Sequence, residues 1–539
     1  MVLTGFLGSQ NYIRVLFGAT GRNNGLIYYI SAILLSVVIL RLSIGLLELD
    51  YLNSVLSWTS LAFLAYCMIQ FIDLDPVSWA NPYNRVIGTL GNPNFSASAL
   101  ACFAVFWFYK FYRSRDMKPI KRLLLVIPAG VMFFLSWSTQ SLQGLIVFAL
   151  GIGLILYIFA REKWSSRSIP LLFFVGGGIS LLFLFASFLG FGPFGSSLEQ
   201  YTLKLRGWYA LFGIQAMLNS PWLGVGVDNY ISAFRTFKSD EFVSQYGSVL
   251  SSNNAHSTPV QIGSSFGLVV FFLYCIIQFW ILLKALSVLS SRNSGNSRLK
   301  PIALMWILFF SQSLLSIEII GLGVMNWVLG AVILSSSQFL DSPMISNDKN
   351  AKKVKKALNY PVWAGPIALS TFCLGAFTAI PISIEDKAFQ NLSLYQVTDE
   401  NSKRFAAENF NKLSSFTLYY PEKLDRVLQN MYLAGLSSEL DVAVRKLYEV
   451  EAKNAQAADL LATHYKNTNQ YLLEVQIREN LRNLDPWNEK LELALAQSYL
   501  SVRDKEGLRA SVDRLRDLNP SSPELQEALS LLDSFENIP

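Results

Sequence analysis

The sequence predicts an all-α protein in which a polytopic transmembrane helical bundle of about ten spans is followed by a soluble α-helical repeat domain. Three observations predict this fold class. The 539-residue chain is 52% hydrophobic and only 15% charged, whereas soluble domains usually contain about 25% charged residues. Long uncharged runs recur through residues 26–384. From residue 385 onward, apolar residues instead recur with the helical period of about 3.6 residues.

The membrane spans are predicted from length and charge. Each of ten apolar segments is long enough, at about 20 residues, to cross a hydrocarbon layer of about 30 Å as a helix. Lysine and arginine concentrate in alternate loops, which the positive-inside rule places in the cytoplasm. The remaining loops, the largest of which is 192–261, are then extracytoplasmic. The ten segments lie near residues 26–47, 51–72, 94–112, 123–140, 142–160, 169–191, 262–286, 301–319, 321–340 and 361–384.

The N-terminal residues 1–25 form an extracytoplasmic segment in this topology. Arg14 and Arg22 are unusual there, because basic residues favour the cytoplasmic side. No clear signal peptide accompanies them. We therefore expect this segment to be truncated, with further spans ahead of it. The alternative is that the short apolar stretch 2–17 is an interfacial segment.

Residues 385–539 differ from the membrane domain in charge and in periodicity. They carry 18 Lys/Arg and 25 Asp/Glu, a net charge of −7, against 26 and 13, a net charge of +13, for residues 1–384. Asp485-Pro486 recurs as Asn519-Pro520, 34 residues later, and each pair follows a leucine. A helix-turn-helix period of 34 residues is similar to that of tetratricopeptide repeats. An irregular helical bundle is the alternative.

Several classes of site are disfavoured by composition. The four cysteines lie in apolar segments at unrelated spacings, so no disulfide framework or metal-ligand pattern is predicted. The net charge of +6 is the difference between two regions of opposite sign and does not indicate a nucleic-acid partner. We predict neither a metal nor another cofactor. Only two histidines, His256 and His464, are available for chemistry near neutral pH.

The outside loop 192–261 is the natural place for hydrophilic chemistry, because the other loops are short. Arg206 precedes an apolar stretch, 207–218, so its guanidinium either binds a phosphate at the membrane surface or snorkels to lipid headgroups. His256 lies just ahead of the next span. It is either a general base for an attacking hydroxyl or a residue that caps the following helix.

The outside loop 73–93 offers weaker candidates. Asp73 and Asp75 form a carboxylate pair that either binds a divalent metal or ends a helix. Arg85 is the only cation in this loop and is a second candidate for anion binding. Asn92 and Asn94 flank a proline, and Asn94 is placed to cap the next helix.

Three motifs follow one another along the chain. They are Arg85 with Gly88-Thr89-Leu90-Gly91-Asn92-Pro93-Asn94, Arg206 followed 15 residues later by Pro221-Trp222-Leu223-Gly224-Val225-Gly226, and Ala255-His256-Ser257 ahead of a span that contains Gly267. Together they resemble the O-antigen ligase and polymerase-like family. The resemblance covers roughly residues 20–340. The chain departs from the family pattern at Ser257, where the family usually has Asn, at 253–254, where an Asp is frequent, and at 141–144, which lacks a common Arg.

The resemblance implies a membrane glycosyltransferase of the GT-C type, inverting and independent of metals. Such enzymes transfer a glycan from undecaprenyl diphosphate to an acceptor hydroxyl at the outer face of the bacterial cytoplasmic membrane. It implies that Arg206 and Arg85 contact the donor diphosphate and that His256 activates the acceptor or contacts the donor. The remaining candidate substrate-binding residues are Asn92, Asn94, Lys204 and Arg235.

The favoured function is thus an O-antigen or polysaccharide ligase. The alternatives are a polysaccharide polymerase or a protein O-oligosaccharyltransferase of the same family, or a non-enzymatic transporter of lipid-linked glycan. For a transporter, only Arg41 and Glu318 are candidate intramembrane charges. The expected partners are a lipid-linked glycan donor, a glycan, lipid or protein acceptor, and a protein bound by the repeat domain.

Overall fold

The computed structural model describes residues 11–19, 22–42, 44–77, 81–83, 85–164, 201–292, 294–340, 383–394 and 396–536, with the single residues 1, 7 and 176. Within these ranges every regular element is a helix, which confirms the all-α class. The first thirteen α-helices are α1 Tyr12–Phe17, α2 Leu26–Arg41, α3 Leu46–Phe71, α4 Pro93–Arg113, α5 Pro119–Ser138, α6 Leu142–Lys163, α7 Tyr201–Asn219, α8 Tyr230–Phe237, α9 Asp240–Tyr246, α10 Thr258–Phe266, α11 Leu268–Ser290, α12 Lys300–Ser313 and α13 Ile320–Leu340.

Five of these helices, α3, α4, α5, α6 and α11, are long and apolar enough to cross a membrane. Helix α2 and residues 320–336 of α13 are shorter apolar helices. Two predicted spans lie almost entirely outside the described residues. Only residue 176 of the span 169–191 and the last two residues of the span 361–384 are described. The structure therefore supports a membrane protein with five candidate spans in the described chain, and the count of ten stays a prediction.

Two predicted spans have different bounds in the structure. The segment 262–286 is divided at Gly267 into the end of α10 and the start of α11. Gly267 has a φ of +86°, and a Cβ there would lie 2.7 Å from the carbonyl oxygen of Pro221. The segment 301–319 is helical only as far as Ser313. The 14 residues of α12 extend over about 21 Å at 1.5 Å per residue, which is short of the hydrocarbon thickness.

Helix α4 forms the centre of the membrane bundle and packs against α5, α6 and α12. Its central positions alternate small with large residues, and its apolar window is 78% buried. The small residues allow close approach of neighbouring helices. Gly144 of α6 is one contact point, because a Cβ there would lie 2.8 Å from the Cβ of Ala97.

The predicted outside loop 192–261 is largely helical from residue 201 onward. Helices α7, α8 and α9 pack around an aromatic cluster, and α10 packs against α7. The prediction of a loop missed this small core because it searched for apolar segments long enough to span a membrane, and short helices in a long connection do not form such segments. The buried members of the cluster are Leu205, Tyr209, Phe212, Tyr230, Phe234, Phe242 and Ala255.

The C-terminal region is a series of helices that pack against their neighbours along the chain. After a helix at 383–394, called α14, come α15 Glu400–Phe410, α16 Ser415–Leu418, α17 Pro421–Leu433, α18 Ser437–Val450, α19 Ala455–Asn467, α20 Tyr471–Leu484, α21 Glu489–Ser501, α22 Lys505–Leu518 and α23 Pro523–Glu536. Helices α17, α19, α21 and α23 begin at intervals of 34 residues, at 421, 455, 489 and 523. The regular period fits stacked helix pairs, while the tetratricopeptide repeat type stays a prediction.

Two ion-pair clusters join the C-terminal helices to the rest of the chain. Nε of Arg14, in α1, lies 2.9 Å from Oε1 of Glu451, and both side chains are buried. Asp485 pairs with Lys238 at 3.3 Å and with Arg235 at 3.4 Å at the end of α8. The C-terminal region is thus docked on the N-terminal segment and on α8.

Candidate functional site

Arg206 lies in the second turn of α7 with most of its guanidinium buried. Its Nη1 donates to the carbonyl oxygen of Leu315 at 3.1 Å and approaches Oε1 of Gln143 at 3.4 Å. No carboxylate pairs with it among the described residues. Burial lowers the pKa of this guanidinium, but arginine remains protonated in proteins. A charged fork without a counter-ion is suited to bind an anion.

Arg85 is held by the turn between α5 and α6. Its Nη1 donates to the carbonyl oxygen of Thr139 at 3.2 Å, and its Nη2 donates to Oε1 of Gln140 at 2.6 Å. Gln143, at the start of α6, contacts Arg206. This one turn therefore links two arginines that are 121 residues apart (85 and 206) in the sequence.

Asn92 and Asn94 fix the start of α4 against the same turn. Oδ1 of Asn92 accepts from the backbone N–H of Asn94 at 2.9 Å, so Asn92 is the N-cap residue and the prediction that Asn94 caps this helix was wrong. Oδ1 of Asn94 accepts from Oγ of Ser141 at 2.7 Å. Both amides bond within the protein, and their predicted contact with substrate stays a prediction.

His256 packs against α7 through its ring. The imidazole and the ring of Tyr209 have centroids 4.9 Å apart and planes inclined by 34°. Burial, together with the positive charges of Arg206 and Arg22, lowers the pKa of His256 to about 3. The imidazole is therefore neutral near pH 7, which is the protonation state that a general base needs before it takes a proton.

The backbone holds His256 in an uncommon conformation. Its φ is +52°, in the left-handed region that few non-glycine residues adopt. Its N–H donates to Oδ1 of Asn254 at 2.7 Å, and the N–H of Ala255 donates to Oε1 of Gln261 at 2.9 Å. Ser257, not His256, is the N-cap residue of α10. These bonds present the imidazole to the aromatic cluster and not to the helix end.

Arg22 joins the site from the N-terminal segment. Sequence reasoning missed it, because the only signal was a basic residue in a segment assigned to the outside. Its Nη2 donates to the carbonyl oxygen of Asn253 at 3.0 Å and lies 3.2 Å from Oδ1 of Asp228. The other carboxylate oxygen of Asp228 accepts from the N–H of Ala19 at 2.5 Å. The N-terminal segment thereby reaches the loop that carries His256.

Arg235 and Lys204 have different surroundings. Arg235 faces Asp485 of the C-terminal region, together with Lys238. The structure therefore places Arg235 at a contact between two parts of the chain, and its predicted role in substrate binding stays a prediction. Lys204 lies on α7 two residues before Arg206 and is half-buried.

The acidic residues considered as metal ligands or intramembrane charges bond to neighbours. Oδ2 of Asp75 accepts from Nε2 of Gln70 at 2.8 Å. Glu318 is buried beside α2 and accepts from the hydroxyls of Tyr28 at 2.8 Å and Tyr29 at 3.1 Å. In the part of the chain that the structure describes, no three metal-ligating side chains cluster.

Comparison with known proteins gives one match. Residues 123–275 match the family model described as O-Antigen ligase. No curated protein and no solved structure matches the chain. The matched segment contains Arg206, Arg235 and His256, whereas Arg22 and Arg85 precede it. The match supports similarity to membrane glycosyltransferases of the O-antigen ligase kind at the level of the family.

Proposed function

We propose that the chain is a membrane glycosyltransferase that moves a glycan from undecaprenyl diphosphate to an acceptor hydroxyl at the outer face of the bacterial cytoplasmic membrane. The observation that carries this proposal is the pairing of a neutral, buried imidazole with an arginine that has no acidic partner among the described residues, both within the segment that matches the ligase model. An O-antigen or polysaccharide ligase is the favoured form of the activity.

The chemistry follows from these two groups. The acceptor oxygen attacks the anomeric carbon, and the bond from that carbon to the diphosphate oxygen breaks with inversion. His256 takes the proton from the acceptor hydroxyl as the new bond forms. Arg206 stabilises the negative charge that develops on the leaving diphosphate, an effect that is stronger in a partly buried site than in water. The chain's own residues thus supply a base and a cationic clamp.

Arg85 and the turn between α5 and α6 have a supporting role in this proposal. The turn connects Arg85 to Gln143, and Gln143 contacts Arg206. A rigid connection between two guanidinium groups keeps their separation constant while a diphosphate is bound, and such positioning contributes to the rate. Arg85 then contacts the outer part of the donor.

We also propose that the C-terminal helices are tetratricopeptide-like repeats on the outer side of the membrane. The 34-residue period of helix starts supports the repeat type. Docking of Asp485 on α8 supports placement on the same side as His256. A reporter that is active only in the cytoplasm should be silent when fused after Pro539, and an active reporter would contradict this topology.

The experiment for the enzymatic proposal is complementation of a deletion strain. We expect His256→Ala and Arg206→Ala to abolish glycan transfer while both variants insert into the membrane at normal levels. Arg113→Gln is the matched control, because Arg113 ends α4 about 30 Å from its site end and pairs with Glu162 at the surface. Normal glycan products from both site variants would overturn the proposal.

The products also distinguish the forms of the activity. Long glycans that remain on the carrier in the deletion strain indicate a ligase. Short but attached glycans indicate a polymerase, and an unmodified acceptor protein indicates protein glycosylation. Donor that accumulates on the inner face of the membrane would instead favour a transporter.

A further inference from the structure

We propose that Arg22, in the N-terminal segment, is an additional binding residue for the diphosphate group of a lipid-linked donor. This inference rests on the proposed function and adds a residue that lies outside the segment matched by the ligase model. It assigns a role to a part of the chain that is remote in sequence from both Arg206 and His256.

The first observation is an incompletely bonded, buried guanidinium. The Arg22 side chain is 10% exposed. Its Nη2 contacts Asp228 and the Asn253 carbonyl oxygen, but Nε and Nη1 are buried and have no hydrogen-bond partner among the described residues. Buried N–H donors are almost always satisfied in folded proteins. Two unused donors on one charged fork suit the oxygens of a phosphoryl group, which accept bidentate hydrogen bonds from arginine.

The second observation is the charge of the site. Arg22 and Arg206 both act on the imidazole of His256 from within the same small region. Asp228 offsets one of the two positive charges, and the imidazole is neutral. These four groups together carry one net positive charge, which favours an anion over a neutral ligand.

The third observation is an apolar groove that is lined by the chain neighbour of Arg22. Asn23, the next residue, lines a groove of about 470 Å³ between α2 and α13, whose walls include Ile27, Leu35 and Val324. In this proposal the apolar chain of an amphiphile lies in this groove and its charged headgroup lies against Arg22, which does not itself line the groove. The ligand class that fits both features is a lipid diphosphate.

The C-terminal region holds Arg22 in place through the N-terminal segment. Arg14 pairs with Glu451, and the hydroxyl of Tyr420 donates to the carbonyl oxygen of Gly18 at 2.8 Å. The N–H of Ala19 then donates to Asp228, the partner of Arg22. These contacts hold the residues that precede Arg22 and its partner Asp228 in place before a ligand arrives.

The test measures binding to the full-length protein with two probes, farnesyl diphosphate and uncharged farnesol. The key variant combines Arg22→Gln with Asp228→Asn, so that no buried charge is left without a partner. We expect this variant to unfold at the wild-type temperature and to bind farnesyl diphosphate about tenfold more weakly or worse, as the loss of charged hydrogen bonds implies. Its binding of farnesol should equal that of the wild type, and Arg113→Gln should bind both probes normally.

Two outcomes overturn the inference. Wild-type binding of farnesyl diphosphate by the double variant would mean that Arg22 only neutralises Asp228. Equal loss of both probes would mean that the substitution damages the groove and not an anion site. A different result would overturn the proposed function alone. In that case the wild-type chain binds farnesyl diphosphate through Arg22 but forms no glycan product in the deletion strain.

Discussion

The imidazole of His256 packs on the ring of Tyr209, with centroids 4.9 Å apart, and Tyr209 follows Arg206 by one turn of α7. One helix therefore positions both the candidate base and the candidate clamp. Because an α-helix is stiff over a single turn, the separation of these two groups is set by α7 and the aromatic cluster beneath it. This relationship makes several outcomes testable.

The titration of His256 is the first prediction. Burial brings its folded-state pKa to about 3, so the imidazole should stay neutral throughout the range from pH 5 to 8 where histidine usually titrates. Nuclear magnetic resonance of ¹⁵N-labelled imidazoles follows this directly, because the chain has two histidines and His464→Gln identifies the second signal. A His256 signal that titrates near pH 6.5 would contradict the buried site.

The lowered pKa of His256 also affects the stability of the folded chain. The unfolded chain has an ordinary histidine pKa of about 6.5, so it binds a proton before the folded chain does as the pH falls. His256 therefore lowers the stability of the folded state progressively from about pH 6.5 towards pH 3 and has no effect above that range. His256→Gln should flatten this part of the curve of melting temperature against pH. An unchanged curve would refute the assignment.

The geometry of Arg206 gives the second prediction. Arg206→Lys keeps the charge but loses the planar fork that reaches Leu315 and Gln143. We expect glycan transfer to fall by about tenfold with no change in melting temperature, measured as product formed per unit of membrane-inserted protein. Arg113→Lys, at the far end of α4, is the control and should transfer at the wild-type rate. Equal rates for the two variants would show that charge alone is sufficient.

The contact between Asp485 and α8 gives the third prediction. The side chain of Lys238 is 0% exposed and that of Asp485 is 2% exposed. Asp485→Ala leaves Lys238 and Arg235 buried without their partner, which should cost about 3 kcal/mol in the free energy of unfolding. Asp513→Ala, which removes an exposed pair with Arg516, should change it by less than about 1 kcal/mol. Thermal unfolding of the two variants compares them.

Limited proteolysis extends the same comparison. Asp485→Ala should release the C-terminal region from α8 and accelerate cleavage between the two parts of the chain, whereas Asp513→Ala should be cut at the wild-type rate. Identical cleavage rates would mean that this ion pair does not hold the docked arrangement.

The division of the predicted span at Gly267 gives the fourth prediction. Gly267 and Gly247 have nearly the same φ, +86° and +85°, but a Cβ at 267 meets the Pro221 carbonyl oxygen at 2.7 Å whereas a Cβ at 247 meets nothing within 4 Å. Both alanine variants incur the strain of a positive φ, and only Gly267→Ala adds a clash with backbone. We expect Gly267→Ala to lower the yield of folded protein strongly and Gly247→Ala to lower it slightly. Similar yields would mean that the positive φ alone, and not the clash with the Pro221 carbonyl oxygen, disfavours alanine at position 267.

The helical class and the membrane character were predictable because hydropathy is a property of a continuous segment. Helices α3, α4, α5 and α6 begin within about five residues of the predicted spans, as hydrophobic length requires. The break at Gly267 was not predictable in this way. It depends on the packing of Pro221, which lies 46 residues earlier (221 and 267), against Gly267. The hydropathy of a segment does not show which distant residue packs against it.

The sequence by itself determined that the chain is a helical membrane protein with an acidic, periodic C-terminal region, and it named Arg206 and His256 as residues to examine. Only the tertiary structure decided which polar groups meet. It brought Arg22 to Asp228 and Asn253 and paired Arg235 with Asp485. The physical reason is that a side chain's partner is set by how separate helices pack, and contacts between residues more than 200 positions apart leave no local pattern in the sequence.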